Sequence, residues 1–243
     1  MDPTKSACKA VDAAPCPSTC TATQACIAAA CVTFLPAVKA PDLVEGIGLF
    51  ASLKRLSTGK RAVVYYDREH PSLKLALENA TGGFAVSFVD GNDPTKDVGQ
   101  FATVAVAADD TLHVAYVDAV ADSLLYKPVK GGVAPMTAEV IDDGMRADGP
   151  HPVGSGSAIW LAGSAVRAVY QDQRTAQLWQ AVRASNGTWS TAALLMGTAG
   201  YGFYPSIVSD GGKSYLVHFA YDRAAQTAGM PLGALHVAPL NGG

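Results

Sequence analysis

The sequence predicts an all-β fold, a four-bladed β-propeller closed by its own N-terminal strand and preceded by a short disulfide-rich segment. Three observations predict it. Four apolar strands end in Asp at intervals of 51, 54 and 50 residues, and a period of this length marks a repeat architecture. A Gly-led alternating strand precedes each of them, and a strand carrying Leu follows. All five cysteines fall within the first 31 residues.

The Asp-ending strands are AVVYYD to Asp67, HVAYVD to Asp118, RAVYQD to Asp172 and VHFAYD to Asp222. The strands before them read GLFASLKRL from Gly48, GQFATVAVA from Gly99, GSGSAIWLA from Gly154 and GFYPSIVSD from Gly202. Tight-turn sequences such as STGK, ADDT and SDGGKS join the two, as hairpins require. The third strand places Leu73, Leu124 and Leu178 six residues after the Asp, whereas Leu235 stands thirteen after, so the last copy carries a seven-residue insertion. Fourth strands follow in GFAVSFVDG, PMTAEVIDDG and TWSTAALLMG. The last copy lacks one, and the segment after Cys31, CVTFLPAVKAPDLVEG, precedes its Gly as fourth strands do. Closure by that strand would remove the exposed edges of a linear array. The expected domains are a Cys-rich leader over 1–31 and a propeller over 32–243, with blades near 46–91, 97–144, 152–197 and 200–240 plus 32–40.

Cys8, Cys16, Cys20, Cys26 and Cys31 sit in an Ala/Thr-rich stretch too short to bury a core. Disulfides are the expected source of its order, with the connectivity open and one thiol left over. Zinc is the competing reading, but there is no CxxC pair and no His before residue 70. The start, MDPTKSACKA, lacks the apolar stretch of a signal peptide, so either secretion is not used or the chain is a mature form.

A net charge of −3 and the absence of a Lys/Arg cluster exclude a nucleic-acid footprint, and no apolar run is long enough to span a bilayer. The repeat, with its Gly-aromatic strand, Tyr-x-Asp ending and Val-Asp-Gly link, resembles a group of secreted bacterial β-propeller repeat proteins similar to sialidase-like and Asp-box propellers. The resemblance covers residues 32–240. The leader resembles small Cys-rich modules of surface proteins in myxobacteria-like organisms. Both imply an extracellular, cell-surface or periplasmic setting, and neither implies a reaction. Only ASNGTW, Ala184 to Trp189, approaches an Asp box.

No His, acid and nucleophile stand at a spacing that defines a triad, so no catalytic residue is assigned. The repeated Asp residues read as turn formers. A calcium or sodium ion in the central channel, held by backbone carbonyls, is the one cofactor left open. The departures from fourfold symmetry supply the candidate ligand-binding residues: Tyr201 and Tyr204 in the aromatic cluster, Arg223, Gln226 and Met230 in the insertion, and Asp142, Asp143 and His151 in the long link before the third blade. The expected function is a non-enzymatic binding or structural propeller presenting rim loops to a protein or surface partner. The alternative is a glycan-binding lectin or a glycan hydrolase using rim carboxylates.

Overall fold

The computed structural model describes residues 24–27, 30–33, 46–93, 95–197, 199–210, 213–221 and 233–240. The chain divides into two units, Met1–Val44 and Glu45–Gly243. In the first, β1 (Gln24–Ile27) pairs antiparallel with β2 (Ala30–Thr33), and the register sets Cys26 opposite Cys31. Cys8, Cys16 and Cys20 lie outside the described residues, as does the expected closing strand beyond Thr33.

The second unit contains four antiparallel sheets of the repeat, and the described residues include no helix. The first sheet runs β3 (Ile47–Arg55), β4 (Arg61–Asp67), β5 (Ser72–Glu78) and β6 (Phe84–Asp90). The second runs β7 (Val98–Val106), β8 (Leu112–Asp118), β9 (Ser123–Val129) and β10 (Glu139–Asp142). A small hairpin, β11 (Met145–Arg146) with β12 (Gly149–Pro150), forms in the long link. The third sheet runs β13 (Val153–Ala162), β14 (Ala165–Asp172), β15 (Gln177–Arg183) and β16 (Trp189–Leu195). The last has three described strands, β17 (Gly200–Asp210), β18 (Lys213–Tyr221) and β19 (Gly233–Leu240).

Each first strand slips register near its start, at Leu49/Ser52, Gln100/Thr103, Val153/Ser157 and Phe203/Ser206. The bulge turns Phe50, Phe101 and Tyr204 into left-handed backbone, with φ of 51°, 54° and 53°. Bulky residues rarely accept that conformation, so the packing around them must fix it.

The repeated Gly and Leu turn out to be two halves of one contact. A Cβ at Gly99 would stand 2.8 Å from Leu73 Cβ, one at Gly154 would stand 2.7 Å from Leu124 Cδ1, and one at Gly202 would stand 2.5 Å from Leu178 Cδ1. Each of the first three sheets thus rests its buried Leu against a bare backbone of the next, which only Gly permits at positive φ. Gly48 has nothing within 4 Å, and Leu235 is 70% exposed.

The core lies between the sheets. Val64, Leu75 and Val89 of the first pack on Val114 and Tyr116 of the second, while Ala115 and Tyr126 of the second pack on Ala168 and Tyr170 of the third. Trp160 and Val169 of the third meet Leu216 of the fourth. A cavity of about 370 Å³ is lined by β3, β7, β13 and β17 together.

Candidate functional site

The long link places Asp142, Asp143 and His151 together. Asp142 follows a bulge in β10, where its carboxylate meets Arg146 from β11 at 3.0 and 2.7 Å. It also accepts the Tyr170 hydroxyl at 2.6 Å and the Gly144 N–H at 2.8 Å. Burial acts to raise its pKa, but the hydrogen bonds from Arg146 and Tyr170 outweigh it and hold the carboxyl below its ordinary value. His151 is buried between Asp172, 2.6 Å from Nδ1, and Asp148, 3.0 Å from Nε2. The Arg146 guanidinium stacks 4.3 Å from the Trp179 ring centre. Asp142 and His151 are therefore engaged in holding the link. Asp143 is exposed, and its carboxylate accepts the Met145 N–H at 3.0 Å.

The Tyr that recurs two residues before the repeat Asp also finds its role here. Tyr116 donates to Asp90 of the preceding sheet at 2.5 Å, just as Tyr170 donates to Asp142. At the third junction the register puts Leu195 and His218 in those places, so neither the carboxylate nor the hydroxyl is present. The repeat Asp residues cap the turns that follow them: Asp67 accepts the N–H of Glu69 and His70, Asp118 those of Val120 and Ala121, and Asp172 those of Arg174 and Thr175.

In the last sheet Tyr201 is packed rather than presented. Its carbonyl accepts Gln171 Nε2 at 2.5 Å, and its ring meets His218 edge-on at 6.4 Å. Tyr204 is 87% exposed and lines a cavity of about 350 Å³ with Gly200, Phe203, Phe219 and Tyr221. By register Phe219 takes the place of Tyr66, Val117 and Gln171, all buried where a following sheet packs. The cavity is thus the face that would receive another sheet, and it offers few polar groups to orient a ligand. Arg223, Gln226 and Met230 lie outside the described residues.

A rim groove between the first two sheets has a different character. Two cavities, of about 380 and 230 Å³, share Phe88, Gly91, Asn92 and Asp93. Phe88 is 43% exposed, with Lys74 Nζ 4.9 Å from its ring centre. Glu69 and His70 line the smaller cavity, and Lys96, Lys127 and Met136 the larger. The backbone N–H of Thr95, followed by its hydroxyl, donates to Asp93 and keeps that exposed carboxyl below its ordinary pKa.

Tight packing makes the groove. Gly91 turns the chain at φ +83°, where a Cβ would stand 2.7 Å from Val98 Cγ2. Lys127 replaces the Ala76 and Ala181 of neighbouring repeats; buried, it donates to the carbonyls of Val89 at 3.1 Å and Met136 at 3.0 Å and lies 3.3 Å from Asp90. Asp67, Glu69 and His70 bring ligand atoms within 4.8 Å of one another, but Asp67 already pairs with Lys74, so the trio is a poor cation cage. Sequence reasoning missed this groove because Phe88 alternates like any strand residue and its link has no unusual length.

No family model and no curated protein matches the chain. Among solved structures, it is similar to an endo-1,4-β-xylanase from Bacteroides thetaiotaomicron at 10% identity and a TM-score of 0.51, covering 78% of this chain and 70% of that one. An exo-β-1,3-galactanase from Phanerochaete chrysosporium gives 8% identity and a TM-score of 0.51, covering 79% of this chain but only 45% of the galactanase. A family 43 β-xylosidase/α-arabinofuranosidase from a compost metagenome gives 11% identity and a TM-score of 0.48, with 79% and 69% covered. Among the described residues no helix is long and apolar enough to cross a membrane. What the first two likenesses establish is the architecture: the chain has a propeller-type all-β fold.

Proposed function

We propose that this protein recognises a neutral glycan in the rim groove around Phe88. The carrying observation is an exposed aromatic ring set between two cavities whose walls supply both hydrogen-bond donors and acceptors. An aromatic face covers the C–H face of a sugar ring, while Asn92, Asp93, Glu69 and His70 match its hydroxyls. The charges lining the groove are of both signs, Glu69, Asp90 and Asp93 against Lys96 and Lys127, which suits an uncharged ligand better than an acidic one. The fold shared with a xylanase and a galactanase supports a glycan over the protein partner that the repeat alone favours. Isothermal titration with xylo-, arabino- and galacto-oligosaccharides tests it. Binding by the native protein that Phe88→Ala abolishes is expected; absence of binding, or binding indifferent to Phe88, would overturn it.

A second reading, glycan cleavage, draws support from Glu69 and Asp93 lining one cavity, since glycoside hydrolysis uses a carboxylate pair. Release of nitrophenol from chromogenic glycosides, lost in Glu69→Gln and Asp93→Asn, would establish it.

The ring itself is part of the proposal. The four sheets form a complete four-bladed ring, in which Leu235 meets Gly48 as Leu73, Leu124 and Leu178 meet their glycines. The support is that Leu235 and Gly48 are the two unpaired halves of a contact made three times elsewhere. The clustered cysteines support an oxidising setting outside the cytoplasm.

A further inference from the structure

We propose that the axial cavity at the turn end of β3 binds a small oxyanion, at a site separate from the glycan groove. First strands from all four sheets line this cavity of about 370 Å³: Lys54 and Arg55 from β3, Val104, Ala105 and Val106 from β7, Ile159, Trp160 and Leu161 from β13, and Ile207 and Ser209 from β17. Its charged lining residues are both cations, and both come from one sheet. At the same distance from the repeat Gly the other first strands carry Ala105–Val106, Trp160–Leu161 and Val208–Ser209, so the charge is an asymmetry laid on a symmetric frame.

Seven of the other described cations form ion pairs, while Lys60, Arg68, Lys96 and Lys213 do not. Arg61, Lys74, Lys127, Lys130, Arg146, Arg174 and Arg183 each face a carboxylate. Among the described residues Lys54 and Arg55 face none, and Arg55 spends only Nε on the carbonyl of Gly59, at 3.2 Å, within its own turn. The remaining guanidinium N–H groups and the Lys54 ammonium are left as donors. A guanidinium or an ammonium matches carboxylate, sulfate or phosphate oxygens. The same lining makes this end of the channel unsuited to the calcium or sodium ion that the sequence left open.

Calorimetric titration of the full chain with sodium sulfate, sodium phosphate and methyl glucuronide, at constant ionic strength set by sodium chloride, tests the proposal. The native protein should bind at least one of them one-to-one. Preference for the inorganic salts identifies a free ion as the ligand, and preference for the glucuronide identifies the acidic group of a saccharide. The Lys54→Gln/Arg55→Gln pair should weaken binding at least about tenfold, while Lys130→Gln, away from the cavity, should leave it unchanged. Heats no larger than those of chloride, or equal affinity in the double variant with its far-ultraviolet dichroism intact, would overturn it. Should the double variant misfold, Arg55→Lys keeps the charge but loses the fork, and unchanged sulfate affinity there would count equally against the site. Loss of glycan binding through Phe88→Ala leaves this outcome untouched, because the two sites lie at opposite ends of the first strands.

Discussion

Leu178 packs so closely over Gly202 that a single added Cβ would stand 2.5 Å from Leu178 Cδ1. The same approach joins Leu73 to Gly99 and Leu124 to Gly154, so the junctions between sheets are backbone-to-side-chain contacts with no room for substitution.

Gly99→Ala should therefore destabilise the protein by about 3 kcal/mol, from left-handed strain together with overpacking. Leu178→Ala should cost a similar amount, about 3 kcal/mol, by leaving a cavity. Urea denaturation of both variants checks this, and values under about 0.5 kcal/mol, typical of surface sites, would contradict the contact.

Ring closure makes its own demand. If Leu235 rests on Gly48, Leu235→Ala should cost about as much as Leu178→Ala, roughly 3 kcal/mol. A ring left open there would lose almost nothing on that change, and the same urea series separates the two results.

Asp142 links acid stability to the long link. Its folded pKa is depressed, so its contribution is fully present above the unfolded carboxyl value of about 3.9 and is lost as pH falls through the lower folded value. Asp142→Asn should cost about 3 kcal/mol at neutral pH, because Arg146 loses its nearest carboxylate and keeps only Asp172, 3.7 Å away. The gap between native protein and variant should close toward pH 2, and a gap constant from pH 7 to pH 2 would show that the carboxylate's charge is not what matters.

Phe88→Ala should lower oligosaccharide affinity by at least about tenfold, with an unchanged urea midpoint, since loss of a stacked ring is worth around 1 kcal/mol or more. Titration calorimetry beside denaturation separates lost recognition from lost folding.

Cys26 and Cys31 oppose each other across the β1–β2 hairpin. Alkylation of unfolded, unreduced protein should leave both unmodified, as peptide mass spectrometry would show. Modification of all five thiols would place the protein in a reducing compartment.

The repeat was legible because period and strand pattern are properties of the chain alone. Gly48, Gly99, Gly154 and Gly202 could be aligned from sequence, and so could the Leu series. That Gly and Leu touch across a junction could not be, since the contact is made between copies, by faces whose direction depends on the bulge at Phe50 and its equivalents. Asp142 and His151 looked available because a link with acids and a His reads as surface. Arg146 folding back onto Asp142 and Trp179 is what buries them. Phe88 was overlooked for the opposite reason: its strand obeys the pattern, and only the bulk of Lys127 where neighbours have Ala reshapes the wall beside it.

The joint absence of Asp and Tyr where Leu195 and His218 stand gives the repeat a direction of failure. The first two junctions carry a hydroxyl–carboxylate bond backed by a cation, whereas the third lacks it and keeps apolar contact with the Gln171 bond to the Tyr201 carbonyl. Thermal opening should start where that bond is missing, so amide exchange in β17 and β18 should outrun exchange in β8 and β14. A chain of four near copies would then come apart from one end, like a zip whose final teeth are smooth.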